Sequence, residues 1–363
     1  MNGKLRNICC MYERLRNICC MNGKLRNICK SFMHFAAFML PLSFLVSCSG
    51  GSGYVSITGY AQGGTYIVKL DATDSDLRPE QLKLSIDSIL NVIDNSLSGY
   101  NKSSLVSRFN SGETITDTNT AEYALFAKML DYGDQFFELT GGVVDVWSAP
   151  LFDVWGFGFT PDSLPSQSVI DEAMRKSREH TELNFNAIAQ GYSCDLIADF
   201  LFSHNVKSML VDVGGEIFCS GNNPKGNAWT LGVDSPFDGN MDSGADIKAV
   251  MEAPQGRCGI VTSGNYRKYY VKDGRKYAHT VDPLTGYPVQ HNLLCATVVS
   301  QNCKSMPDAV FADGIATYCM AVGLDKAKEF VLADPSLEAC LIYDNNGKME
   351  LWKSPGFILK RQY

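Results

Sequence analysis

The segment Phe311-Ala312-Asp313-Gly314-Ile315-Ala316-Thr317 sets a carboxylate and a hydroxyl four residues apart in an otherwise apolar run. On a helix, positions i and i+4 share a face, so both oxygens project together. A carboxylate in such surroundings is costly unless it is paired or bound to a metal. A hard cation such as Mg²⁺ takes oxygen donors of this kind, whereas the structural alternative is a surface Asp beside a Thr that bonds back to its own helix. A second group is His279, in Lys276-Tyr277-Ala278-His279-Thr280-Val281-Asp282-Pro283-Leu284-Thr285-Gly286, at a strand end that runs into a Pro/Gly turn. An imidazole there can act as general base near neutral pH, or can simply hold the turn. Gly259-Ile260-Val261-Thr262-Ser263-Gly264-Asn265-Tyr266 offers hydroxyls and backbone N–H groups at a strand end, a possible cradle for a diphosphate. Leu183-Asn184-Phe185-Asn186-Ala187-Ile188-Ala189-Gln190-Gly191-Tyr192 leads into a helix whose N-terminus favours anions, and its small residues equally suit close packing.

Positioning these groups requires strands and helices in a fixed order, and the periodicity supplies them. Tyr54 to Asp71 alternates around Gly63-Gly64 as a β-hairpin. Arg78 to Leu97 reads as a helix with Pro79 near its start and Ile86, Ile89, Leu90, Ile93 and Leu97 on one face. Asn119 to Leu139 reads as another, with Asn119 and Glu122 placed as a capping box and Gly141 as its stop, and Asn186 to Ser203 as a third. Strands are expected at 207–213, 229–234, 248–252, 257–262, 266–272 and 294–300. A helix from about Asp308 to Val322 then closes at Gly323, a shorter one follows, and a last hairpin turns at Asn346-Gly347. Helices and strands fall in blocks, which favours an α+β fold with largely antiparallel sheets over a doubly wound parallel one. The one loose stretch is Ser235 to Asp246, rich in Gly, Asp and Asn.

Several chemistries are absent. No Gly-x-Gly-x-x-Gly follows a strand and no phosphate loop ends in Gly-Lys-Ser/Thr. The five histidines are scattered, there is no Cys-x-x-Cys zinc pattern in the domain, and no Gly-x-Ser-x-Gly elbow occurs.

The first thirty residues repeat the string Leu-Arg-Asn-Ile-Cys three times, in units too short to build a solenoid, so Met21 is read as the start of the leader. Lys24, Arg26 and Lys30 precede an apolar run from Phe35 to Val46 that is too short to span a bilayer. Leu45-Val46-Ser47-Cys48 resembles the lipobox of bacterial lipoproteins, and Ser49-Gly50-Gly51-Ser52-Gly53 follows as a flexible tether. The expected organisation is a signal peptide over residues 1–47, a lipidated Cys48 with its tether over 48–54, and one domain over 55–363. That places the domain on the periplasmic side of a bacterial membrane, held by the lipid on Cys48. Past the leader, 25 basic and 38 acidic residues remain, and so acidic a surface argues against nucleic acid as a partner. The seven domain cysteines are odd in number and widely spaced, which reads as small core residues rather than a disulfide framework.

In this order the segments resemble the ApbE-type FAD:protein FMN transferases across nearly the whole domain. The similarity runs through Gly59-Tyr60-Ala61-Gln62-Gly63-Gly64-Thr65-Tyr66, then Leu97-Ser98-Gly99-Tyr100-Asn101-Lys102-Ser103-Ser104 with Arg108-Phe109-Asn110. Gly141-Gly142-Val143-Val144-Asp145, Trp155-Gly156-Phe157-Gly158 and Val211-Asp212-Val213-Gly214-Gly215-Glu216 follow. The Thr-Ser-Gly segment, the His-x-x-Asp-Pro-x-Thr-Gly turn and Ala-Asp-x-x-Ala-Thr complete it. The resemblance implies a single ApbE-like domain of mixed, mainly antiparallel sheets flanked by helices. It implies an enzyme that takes FAD as substrate, holds Mg²⁺, and moves FMN onto a Thr or Ser of an exported acceptor protein with release of AMP. Asp313, Thr317 and the backbone carbonyl of Ala187 are then the implied metal ligands, His279 the base, and Tyr100 an aromatic contact to the cofactor. Gln62, Gly142, Val143, Val144, Asn184, Gln190, Thr262 and Val281 fall where family members touch FAD, several through backbone atoms. The chain departs from the family at Gln62, Asn184 and Gln190, where Met, Asp and Lys are frequent, and the stretch between Met174 and Leu183 is shorter. Three other readings stay open: an FAD pyrophosphatase that releases free FMN and AMP, a non-catalytic FAD-binding lipoprotein, and a purely structural lipoprotein.

Overall fold

A computed structural model describes residues 47–48, 53–157, 164–237, 246–265, 269–272 and 275–363. Most of the leader, the tether at 49–52, Gly158, Tyr266 and most of the loose stretch lie outside the described residues. The strands in chain order are β1 (Ser47–Cys48), β2 (Tyr54–Ala61), β3 (Gly64–Asp71), β4 (Met209–Val213), β5 (Glu216–Ser220), β6 (Thr230–Asp234), β7 (Ile247–Glu252) and β8 (Cys258–Gly264). They continue as β9 (Tyr269–Lys272), β10 (Arg275–Ala278), β11 (Val281–Asp282), β12 (Tyr287–Pro288), β13 (Leu293–Ser300), β14 (Leu337–Asn345), β15 (Lys348–Lys353) and β16 (Leu359–Gln362). Nine form one sheet in the order β1-β2-β3-β4-β5-β8-β13-β14-β15, and β16-β7-β6 form a second. Their pairings are antiparallel, as block order predicted.

Alternation along these strands sends successive side chains to opposite faces and so splits the interior in two. Ile57, Val68, Val211, Phe218, Val261 and Val298 face the helices in the larger core. Leu210, Cys219, Cys258, Ile260, Cys295, Val299 and Cys340 face the small sheet and meet Val233, Ala249 and Met251. Cys194, Cys219, Cys258, Cys295, Cys319 and Cys340 are buried free thiols, small core residues as their apolar settings predicted.

The helices are α1 (Pro79–Leu97), α2 (Leu105–Asn110), α3 (Ala121–Thr140), α4 (Ala149–Val154), α5 (Gln167–Arg178), α6 (Ala189–Ser203), α7 (Asp308–Val322) and α8 (Leu324–Ala333). The α1 helix buries Ile86, Leu90, Ile93 and Leu97 of the expected stripe together with Leu82, while Ile89 packs against the same core only partly buried. Truncating a fully buried member such as Ile86 to Ala would cost about 2–5 kcal/mol. The cap of α3 differs from expectation: the Thr120 hydroxyl, not Asn119, accepts the Tyr123 N–H, while Gly141 stops the helix at φ 63° as foreseen. A Thr competes well for the cap because its short hydroxyl reaches the third amide. The α6 helix starts at Ala189, three residues after the expected Asn186. Local periodicity did not show α2, α4 and α5, since two of them are single short turns and α5 is mostly polar. A third small core of Leu151, Trp155, Ile170, Ala173 and Val281 joins α4 and α5 to β11. The Trp155 indole N–H donates to the Gly286 carbonyl at 2.8 Å and pins the turn that follows His279.

Candidate functional site

The α6 and α7 helices cross beside their N-termini, and each lends the other a carboxylate. Asp195 of α6 accepts the Ala309 and Val310 amides of α7 at 3.1 and 2.8 Å. Asp313 of α7 accepts the Gly191 amide of α6 at 2.9 Å. Both contacts answer amides that open a helix and have no partner inside it. Gly191 makes the crossing possible: a Cβ there would sit 2.4 Å from the Ala309 carbonyl oxygen.

Asp313 is buried, and that burial holds its carboxyl well above the usual carboxylate range; the nearby Glu216 charge raises it further while the Gly191 N–H opposes the shift. Burial likewise pushes Asp195 up to about 8 against its two amide bonds. A divalent cation is the group that would offset such a cost at Asp313. The donors nearby fit one. The Gly191 N–H, which in a regular turn reaches the carbonyl of Ala187, goes to Asp313 instead. Thr317 is half-buried one turn past Asp313 on α7. Carboxylate, hydroxyl and carbonyl are hard oxygen donors suited to Mg²⁺. Among the described residues no cluster of three or more His, Cys, Asp or Glu could hold a metal, so such a site needs carbonyl, hydroxyl and ligand oxygens.

Two glutamines close the same helix end. Gln62, at φ 52° in the β2–β3 turn, donates through Nε2 to the Ser193 hydroxyl of α6 at 2.5 Å. The Gln190 amide lies over Gly214, where a Cβ would approach its Nε2 to 2.2 Å. Gly214, at φ 72°, opens the β4–β5 turn that leads to Glu216.

A cleft of about 440 Å³ lies alongside, walled by Tyr100, Asp153, Phe157, Asn184, Phe185 and Asn186 among others. Tyr100 is exposed at its mouth. Asn110 clamps the floor by donating to the Leu183 carbonyl at 2.9 Å and accepting its amide at 2.8 Å. Asn184 accepts the Asn186 amide at 2.8 Å, so its side chain shapes the approach to α6. The His279 ring meets, edge-on at 6.4 Å, the ring of Phe157 in the cleft wall. The Thr280 hydroxyl donates to Asn265 at 2.8 Å and fixes the histidine against the end of β8. Gly142, at φ 87°, leaves space that a Cβ would crowd, coming to 3.2 Å from Phe137 and 3.3 Å from Leu284, so the Gly142-Val143-Val144 turn lies near the turn after His279.

Two expected contacts take a different form. The Thr262 hydroxyl pairs with Thr297 at 2.9 Å across the strands. By alternation both lie on the face opposite Val261, away from the helices, so only backbone atoms of Thr262 can face the helix side. The Val281 side chain fills the third small core, so it too can offer a ligand only main-chain atoms. Sequence reading passed over Asp195, although its setting in Ser193-Cys194-Asp195-Leu196-Ile197 carries the same buried-carboxylate signal as Asp313.

Residues 56–341 match the ApbE family. This chain belongs to the ApbE family. It is 30% identical over 325 residues to the FAD:protein FMN transferase of Haemophilus influenzae, a match covering 84% of this chain and 90% of that protein. It is also 30% identical to the FAD:protein FMN transferase of Vibrio cholerae, covering 78% of this chain and 86% of the relative. Among solved structures, the ApbE fold recurs in the flavin transferase of Vibrio cholerae, with TM-score 0.69, 25% identity and coverage of 84% and 98%. The apo flavinyl transferase of Pseudomonas stutzeri superposes with TM-score 0.70 at 27% identity, covering 86% of this chain and 97% of that one.

Proposed function

We propose that this chain transfers FMN from FAD to a Thr or Ser hydroxyl of an exported acceptor protein and releases AMP, in a reaction that needs Mg²⁺. The observation that carries the reading is Asp313: a buried carboxylate, raised by burial and anchored on the Gly191 amide, beside the N-terminus of α6. The names of the relatives at 30% identity support the same chemistry. Asp313, Thr317 and the Ala187 carbonyl would hold the cation, which supplies charge neutralisation on the diphosphate. The cleft by Tyr100 and Asn184 would take the flavin half, and backbone groups of Gly142, Val143, Val144, Thr262 and Val281 would line its path with the side chains of Gln62 and Gln190. In the step itself, the acceptor oxygen bonds to the phosphorus of the FMN half, the bond from that phosphorus to the bridging oxygen breaks, and AMP leaves with that oxygen. The hydroxyl proton passes to His279, and the remaining acceleration comes from positioning.

A leader ending at Cys48 would put this chemistry outside the cytoplasm: Cys48 would carry lipid and tether the domain to the periplasmic side of a membrane, where exported acceptors pass. The test combines the purified protein with FAD, Mg²⁺ and an extract of exported proteins, followed by in-gel flavin fluorescence and AMP release. A fluorescent acceptor band with matching AMP, both lost in EDTA, is the expected result. AMP with free FMN and no band would replace the reading with a pyrophosphatase, and FAD retained intact would replace it with a binding protein.

A further inference from the structure

Cys219 on β5 and Cys258 on β8 stand directly opposite each other in the antiparallel register. Their side chains share the face that packs on the small sheet, they are 1% and 0% exposed, and the Cys258 thiol lies 3.9 Å from the Cys219 carbonyl oxygen. Opposed residues in an antiparallel pair have Cα atoms about 4.5 or 5.5 Å apart, and both spacings lie inside the range a disulfide spans. No other pair of thiols on this face is so placed among the described residues. Cys295 opposes Gly264 and Ile342, and Cys340 opposes Thr297 and Lys353.

We infer that Cys219 and Cys258 form a cross-strand disulfide site, closed by exchange with an oxidised dithiol protein or oxidised glutathione when the chain folds in an oxidising compartment. One cysteine thiolate attacks a sulfur of the oxidant's disulfide and releases one oxidant thiol. The second thiolate attacks the mixed disulfide, the Cys219–Cys258 bond forms, and the second oxidant thiol leaves. The two cysteines lose two protons and two electrons, and the electrons end on the oxidant. Cross-strand Cβ atoms sit about 4.5–5.5 Å apart against about 3.5–4.5 Å in a relaxed disulfide, so closure draws the strands together. Burial holds the Cys219 thiol well up, which slows exchange in the folded chain and assigns closure to folding or to opening of the sheet. The loop it closes contains β6 and β7, and the two tied strands are those that deliver Glu216 and Thr262 to the candidate site. The inference depends on the register, not on the transferase reading.

The test refolds the reduced, unfolded chain in a buffer of oxidised and reduced glutathione set to the poise of an oxidising compartment. Where refolding is incomplete, the folded chain is held in the same buffer with a low concentration of denaturant. Free thiols are alkylated under denaturing conditions and peptides are mapped without reduction. A linked peptide joining Cys219 to Cys258, absent after dithiothreitol treatment and absent from Cys219→Ala, is the expected result. Full alkylation of both cysteines in protein with native circular dichroism would overturn the inference. So would linkage of either one to Cys295 or Cys340, or a persisting internal disulfide in Cys219→Ala.

Discussion

Adding one methyl group at Gly191 tests the link between helix packing and chemistry. In Gly191→Ala the new Cβ meets the Ala309 carbonyl oxygen at 2.4 Å, the Asp313 Cβ at 2.7 Å and the Ala309 carbonyl carbon at 2.9 Å. Ordinary contact begins near 3.4 Å, so α6 and α7 must part by about 1 Å. None of the three atoms is the free end of a flexible side chain, so the helices cannot yield locally. Overpacking of this kind costs about 1–3 kcal/mol, against a helix-propensity gain of about 1 kcal/mol for replacing glycine. The net loss is no more than about 2 kcal/mol, a fall in melting temperature of roughly 6 °C or less. The site is hit harder, because the same movement stretches the 2.9 Å Gly191–Asp313 bond beyond hydrogen-bond reach. A misplacement of about 1 Å can lower a rate about 100-fold. Thermal melting by circular dichroism and AMP release at saturating Mg²⁺ and FAD separate the two effects. A variant that melts near wild type and turns over within about two-fold of it would refute the idea that this crossing sets the position of Asp313.

Four further outcomes follow from the same geometry. Asp313→Ala should abolish Mg²⁺-dependent turnover and remove the rise in melting temperature expected for the wild type in Mg²⁺, and an undiminished Mg²⁺ shift would exclude Asp313 from the proposed metal site. The wild-type Mg²⁺ shift should also grow with pH. With its carboxyl raised by burial, Asp313 keeps a proton above the ordinary carboxylate range, where the unfolded chain has already lost it. Stability of the metal-free protein therefore declines as pH rises through that window, and a cation that needs the carboxylate binds better across it. A Mg²⁺ shift that shrinks from pH 6 to pH 8 would contradict this sign. His279→Ala should lower kcat about 10²–10⁴-fold with FAD affinity held within a few-fold; loss of FAD binding with kcat preserved would remove the imidazole from proton transfer. Asp195→Ala strips the acceptors from two buried amides and should cost about 2–4 kcal/mol in chemical denaturation, with Asp195→Asn, which keeps one acceptor oxygen and turns an N–H₂ toward the other amide, falling between it and wild type. Equal losses in the two variants would show that charge, not hydrogen bonding, is what Asp195 contributes.

Much of the architecture was legible in short stretches of sequence. The apolar stripe of α1, the stop at Gly141, the Asn346-Gly347 turn and the alternation of the hairpin from Tyr54 to Asp71 all depend on neighbours within a turn or a strand repeat. The pairing of buried Asp313 with half-buried Thr317 on one helix face was legible for the same reason, since four residues on one helix fix their own relative placement. The short helices α2 and α4 were not, because one turn of helix is held by what it packs against rather than by its own propensity.

The sequence by itself thus determined the family, the long helices and most of the strands, and the local spacing of the candidate groups. Only the tertiary structure decided which of them meet. Asp195 reaching across 114 positions to Ala309, Asp313 reaching back 122 to Gly191, and Trp155 holding Gly286 at a separation of 131 are contacts that no local period encodes. The face of Thr262 was settled in the same way, by which strand it pairs with and which layer covers it. The physical reason is range: propensity and amphipathic spacing act over a few residues, whereas the site is assembled by burying apolar surface between segments far apart in the chain, and that packing chooses which carboxylate faces which amide.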